Sequence, residues 1–177
     1  MSTGSKAFVI VFAAIIFLFI IGDRFKMKAD VKEVPDYAME LDTTAVIEIR
    51  STSQKDPQAD FIYLRNGTDW VELTSDSIIG RTIEARGVLS VFQQLKIKRT
   101  MGSLLEFGDR FQLRANTMLT VVFIDVDGNE KALNIGSDTF GASSDKTWTY
   151  VHIPGGTEVY AIEVALWDVL KGKNRSQ

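Results

Sequence analysis

Trp148, Tyr150 and His152 alternate along one short run, so an extended backbone sets all three on the same side. Two aromatic rings and an imidazole on one face could hold a sugar or a partner's side chain. More often such a face is simply the core-facing or helix-covered side of its strand, and that is the expectation here. His152 is the sole histidine, which excludes a multi-histidine metal site and makes any histidine triad depend on one residue. No Gly-x-Ser-x-Gly elbow surrounds a serine, and the carboxylates fall in no informative pairing.

Asp125-Val126-Asp127-Gly128-Asn129-Glu130 has the look of a calcium-loop fragment. A full loop needs a bidentate glutamate at its twelfth position, and Gly136 stands there. Flanked by apolar runs, the segment reads better as a hairpin turn. Gly136 and Gly141 have Walker spacing, but Ala142 and Ser143 occupy the places of the phosphate-binding lysine and its hydroxyl neighbour. Residues 136–146 are expected to form the longest polar loop of the domain, where contacts concentrate, with Ser137, Asp138, Phe140 and Asp145 as contact candidates. Trp167 is expected on the polar side of a closing helix, as an interface anchor or a partly buried edge residue. The expectation is a non-enzymatic protein with no cofactor and no metal.

Composition narrows the frame for these residues. A formal charge of −3 over 177 residues argues against a nucleic-acid binder. The absence of cysteine removes disulfides, thiolate nucleophiles and zinc-thiolate sites. Residues 7–22 (AFVIVFAAIIFLFIIG) form an uncharged apolar run of 16 residues, just short of the usual spanning length of about 17 to 25. No small-x-small cleavage site follows it. Instead Arg24, Lys26 and Lys28 can snorkel to the headgroups and lengthen the effective span. Residues 1–22 are therefore expected to be a retained membrane anchor. Its bulk comes from Phe8, Phe12, Ile16, Phe17 and Phe19, which face lipid or pack against partner helices. The basic residues after the run outnumber Lys6 before it and point to a cytoplasmic domain. A minimal N-terminus with one anchor and one folded domain is, in contrast, a common layout for exported proteins.

Residues 23–42 mix charges with no sustained apolar period and are expected to be a tether, able to reach roughly 60 Å if fully extended. After the anchor about 155 residues remain, enough for one domain. Ala45-Val46-Ile47-Glu48-Ile49-Arg50 alternates as a strand. The runs 61–65 and 69–73 flank Asn66-Gly67, a strong hairpin signal. Across 80–96 the period becomes helical, with Ala85, Val88, Val91, Phe92 and Leu95 on one face. Gly87 there either weakens the helix by about 1 kcal/mol relative to alanine or lets it approach the sheet closely. A short helical or irregular piece follows at 103–107. The run 118–125 (MLTVVFID) is apolar on both faces, which suits a strand covered on both sides or placed at a dimer contact. Strands are expected at 130–135, 148–153 and 158–161, with a closing helix over 162–171 and a basic tail, 172–177. The order βββ-α-ββ-ββ-α predicts an α+β domain over 43–171, one antiparallel sheet with two packed helices.

Leu64-Arg65-Asn66-Gly67-Thr68-Asp69-Trp70-Val71 leads into a helix ending Phe92-Gln93-Gln94-Leu95. Then come Val121-Val122-Phe123, Asp127-Gly128, Leu133-Asn134-Ile135-Gly136, Tyr150-Val151 and Val159-Tyr160 before the last helix. This series, over roughly residues 44–170, resembles the bacterial family catalogued as domain of unknown function 4340. The resemblance implies an envelope protein with an N-terminal membrane segment and an exported domain, in some cases accessory to transporters of the gliding-motility type. It supplies no catalytic residues. The combined expectation is a single-pass inner-membrane protein whose periplasmic domain is an accessory or scaffold subunit. Its partners would be the lipid bilayer and other integral membrane subunits, not nucleic acid. The alternative is a glycan- or small-molecule-binding domain serving a transporter, with Trp148, Tyr150 and His152 lining its site.

Overall fold

The alternating runs settle into strands because each has one apolar side to bury. The computed structural model describes residues 34–73, 77–140 and 147–171, and the compact unit they belong to begins at Pro35. In chain order the strands are β1 (Tyr37–Glu40), β2 (Val46–Ser53), β3 (Phe61–Asn66), β4 (Asp69–Leu73) and β5 (Ile78–Gly80). Helix α1 (Thr82–Phe92) leads to β6 (Gln94–Lys96), β7 (Arg99–Ser103) and the single-turn α2 (Leu104–Phe107). The chain continues through β8 (Leu119–Asp125), β9 (Glu130–Phe140), β10 (Thr147–His152), β11 (Glu158–Ile162) and α3 (Leu166–Leu170). Mostly antiparallel sheet with few helices, the domain is β-rich.

Two meanders meet edge to edge. In the nine-stranded sheet the order is β5-β4-β3-β2-β8-β9-β10-β11-β7; the seam is the antiparallel pair β2 and β8, with Ile49 opposite Phe123. β1 and β6 form a separate two-stranded ribbon. On the inner face Ile49, Leu119, Val121, Phe123, Leu133, Ile135 and Val151 are fully buried beneath Ala85, Val88, Leu89 and Phe92 of α1 and Leu166 and Leu170 of α3. The Phe92 and Phe123 rings meet at 5.1 Å. Burying a side chain of that size contributes about 1.5–3 kcal/mol. Arg81 clips the turn into α1, pairing with Glu72 at 2.8 Å and Glu84 at 3.3 Å, while the Trp70 N–H donates to Thr82 Oγ1.

Among the described residues, the cover on the outer face lies over the C-terminal wing. The segment between β7 and β8 lays Phe111 and Leu113 over Val159, with Tyr150, Phe107 and Met101 beside them. Phe111 stacks on Tyr150 at 3.8 Å between ring centroids. Gly136 makes this possible: a Cβ there would lie 2.1 Å from the Phe111 carbonyl oxygen, which accepts from the Ser137 N–H at 2.8 Å.

Several expectations need correction. The tether was drawn too long, because Ala38, Met39 and Leu41 are buried in the core and β1 pairs with β6. The helix over 80–96 is shorter, since Gly80 belongs to β5 and 94–96 to β6. Residues 136–140 are strand rather than loop, carried by pairing of β9 with β10 through Thr147 opposite Phe140. The closing helix is five residues, with Ile162 in β11. Gly87 does not serve close packing: a Cβ on it would meet nothing within 4 Å. Among the described residues no helix is long and apolar enough to cross a membrane; the expected anchor, with Phe8, Phe12, Ile16 and Phe19, lies outside them, as does the basic tail 172–177.

Candidate functional site

Where β9 runs past the end of β2, a cleft of about 290 Å³ opens between the loop after β2, the turn before β8 and α3. It brings together three of the residues singled out in the sequence, Ser137, Asp138 and Trp167, and adds Lys55, Asp56, Gln112 and Lys171.

Asp56 caps a 3₁₀ turn, Pro57–Ala59, by accepting from the Gln58 N–H. Its other partner is Lys171 Nζ at 2.6 Å, and this ammonium is the main reason the Asp56 carboxyl sits below its ordinary pKa. Lys171 also lies 5.0 Å above the Trp167 ring, a cation–π contact. Opposite, Lys55 Nζ donates to Gln112 Oε1 at 2.6 Å. Gln112 has φ 58°, and it is the sole non-glycine residue with positive φ among the described residues. A left-handed backbone at such a residue costs on the order of 1–2 kcal/mol, and strained residues of this kind cluster at functional sites.

The cleft floor is a proton-counting problem. Thr149 is fully buried, and its Oγ1 accepts from the Leu166 N–H at 3.1 Å. The same oxygen faces two acceptors, the Val164 carbonyl and Asp138 Oδ1 at 2.5 Å. One hydroxyl carries one proton and two lone pairs. A charged Asp138 competes with Val164 O for that one proton, whereas a protonated Asp138 would donate to the remaining lone pair and leave Thr149 free to donate to Val164 O. The Asp138 pKa is raised, chiefly by burial, with the Thr149 hydrogen bond opposing and the nearby Asp168 charge reinforcing.

Trp167 is not a free anchor. It packs partly buried against the core, and its indole N–H donates to the Gly136 carbonyl. Tyr150 and His152 lie on the outer sheet face, away from the cleft. Tyr150 is stacked under Phe111, and His152 is 6% exposed. Gly156 O accepts from His152 Nε2–H at 3.1 Å, so Nδ1 accepts from Asn134 Nδ2 at 3.3 Å. Trp148, half-buried, lies on that outer face of β10 opposite Thr139. Among the described residues, Tyr150 and His152 are therefore engaged within the fold rather than open beside Trp148. The Phe140 side chain and Asp145 lie outside the described residues. Asp125 behaves as a turn organiser, accepting from the N–H groups of Asp127 and Asn129 and from Asn129 Nδ2 at 2.9 Å. Those bonds, the Asn129 side chain first, hold its pKa low.

No family model, no curated protein and no solved structure matches this chain.

Two ammonium groups, two acidic side chains, an amide and an indole face can bind polar groups, and Ser137 Oγ donates to the Phe111 carbonyl. Sequence reasoning missed Lys55, Asp56, Gln112 and Lys171. Asp56-Pro57 carried a capping signal that could have been read, whereas nothing local announced the backbone of Gln112. A second, more apolar groove of about 540 Å³ runs between α1 and α3, with Tyr63, Val88 and Leu170 in its lining and Gly87 open to it.

Proposed function

We propose that the chain is a non-enzymatic accessory or scaffold subunit of a larger bacterial membrane complex. Residues 1–22 anchor it in the inner membrane beside other membrane helices, and the β-rich domain stands on the periplasmic side. Its mechanism is positional: an anchor confines the domain to two dimensions and raises its effective concentration near a partner. The observation that carries the reading is the cleft at the sheet end, where Ser137, Asp138 and Trp167 converge with Lys55 and Lys171 around a strained Gln112. Such a mix of charge and aromatic surface fits a protein contact better than bond-making chemistry. The resemblance to domain of unknown function 4340 supports the outward orientation.

The test is affinity purification of the tagged full-length chain in mild detergent with quantitative mass spectrometry. The expected result is a stoichiometric set of membrane proteins that is lost from Lys55→Glu and Lys171→Glu. A solitary preparation would overturn the reading and favour the glycan-binding alternative, which would then have to use the cleft rather than the Trp148 face.

A further inference from the structure

The outer face of the N-terminal wing is built differently from a solvated sheet. Strand register places Ile78, Leu73, Ile62, Arg50 and Val122 in one row across five strands. The next row carries Val71, Leu64, Glu48 and Ile124. Ile62, Leu73 and Ile78 are 38%, 46% and 70% exposed, and Val122 and Ile124 remain half-exposed. No described element packs on these rows. An antiparallel sheet with one wet face normally alternates apolar-in and polar-out; in these two rows the outward side chains are apolar except at one strand. There, on β2, Arg50 and Glu48 pair at 2.5 Å, with their side chains 44% and 19% exposed.

We infer that this face is the contact of an isologous dimer between two copies of the chain. The face is its own complement. An acid and a base stand side by side on β2, with apolar residues of β3 on one side and of β8 on the other. A two-fold axis through that point brings Arg50 of each copy onto Glu48 of the other. The same rotation exchanges the two rows, laying Ile62 of one copy over Leu64 of the second, Leu73 over Val71 and Val122 over Ile124, as in aligned sheet packing about 10 Å apart. Five strands at a spacing of about 4.8 Å make the patch roughly 19 Å across, which suits the smaller, transient interface class. The inference stands independently of the cleft and of any partner complex.

The experiment uses two differently tagged copies of the full-length chain in detergent, studied by sedimentation and reciprocal pull-down up to about 100 μM. The wild-type chain is expected to self-associate reversibly. Arg50→Glu alone sets four carboxylates together across the axis, and Glu48→Arg alone sets four cations. Each is expected to raise the dimer dissociation constant at least about tenfold. Mixing the two variants is expected to restore association as a heterodimer, which also shows that both are folded. Leu73→Glu, at an exposed flank, should weaken association without any change in charge at the centre. A wild-type chain that stays monomeric throughout the range would overturn the inference. So would a dimer indifferent to all three substitutions, because that dimer would lie elsewhere.

Discussion

One sheet has two differently finished wings. In the C-terminal wing Val159 and Tyr150 point outward into a second small core under Phe111 and Leu113. In the N-terminal wing Ile62, Leu64, Val71 and Leu73 point outward with no described segment above them. Their side-chain types are alike, so apolarity alone does not decide which face is closed. What differs is a glycine at the right place. Gly136 lets the backbone at Phe111 come down onto β9, and the outward positions of β3 and β4 offer no such seat.

The contrast can be broken most strongly at its keystone. Phe111→Ala removes the ring that covers Tyr150 and is expected to cost about 3–5 kcal/mol, read as a fall in the urea midpoint, whereas Ile62→Ser in the open wing should stay within about 0.5 kcal/mol. Equal losses would mean that the two faces are not distinct. Gly136→Ala should come next, because its Cβ has no room beside the Phe111 carbonyl; a loss of about 2 kcal/mol or more is expected, with increased proteolysis between β7 and β8.

A smaller effect sharpens the comparison at the cleft, where the wings' ends meet α3. The folded-state pKa of Asp138 is raised above its ordinary value of 3.8, so in that window the native state holds a proton that the unfolded state releases. Its contribution to stability is fully present below about 3.8 and is lost as pH rises through the higher folded value. Asp138→Asn keeps a donor for Thr149 without a charge, so its stability should lose this pH dependence, while Asp138→Ala should be less stable at every pH. A wild-type unfolding midpoint that rises with pH across that window relative to the asparagine variant would refute the raised pKa. The smallest expected change lies on α1: Gly87→Ala should add about 1 kcal/mol, checked by thermal melting, since its Cβ meets nothing.

Local chemistry was legible where the chain turns. Asn66-Gly67 and Asp127-Gly128 announced their hairpins because glycine accepts positive φ, 64° at Gly67 and 80° at Gly128. The turn at the first falls one residue later than the dipeptide suggested, on Gly67-Thr68 with Asn66 paired to Asp69. The α+β expectation gave the helices too many residues, because Gln94–Lys96 and Ile162 were drawn into strands by partners far along the chain. β7 (Arg99–Ser103) carries almost no apolar signal and exists through its pairing with β11. Of the candidate site, Ser137, Asp138 and Trp167 were singled out, but their reason was wrong: they meet through strand pairing and helix docking, not in a loop. The aromatic alternation of Trp148, Tyr150 and His152 was correctly seen as one face, with the bland outcome that Phe111 lies over Tyr150 and a closed hydrogen-bond chain engages His152.

The seam between β2 and β8 also sets a clock. The chain emerges N-terminus first, and β2 waits roughly seventy residues for the strand that completes its second edge. At a synthesis rate of about 5–20 residues per second that interval is several seconds, in which a finished β3–β2 edge stands open as a template for any extended neighbour. The hazard is therefore greatest before the molecule exists as a whole, and the seam is where a slow or crowded birth would go astray.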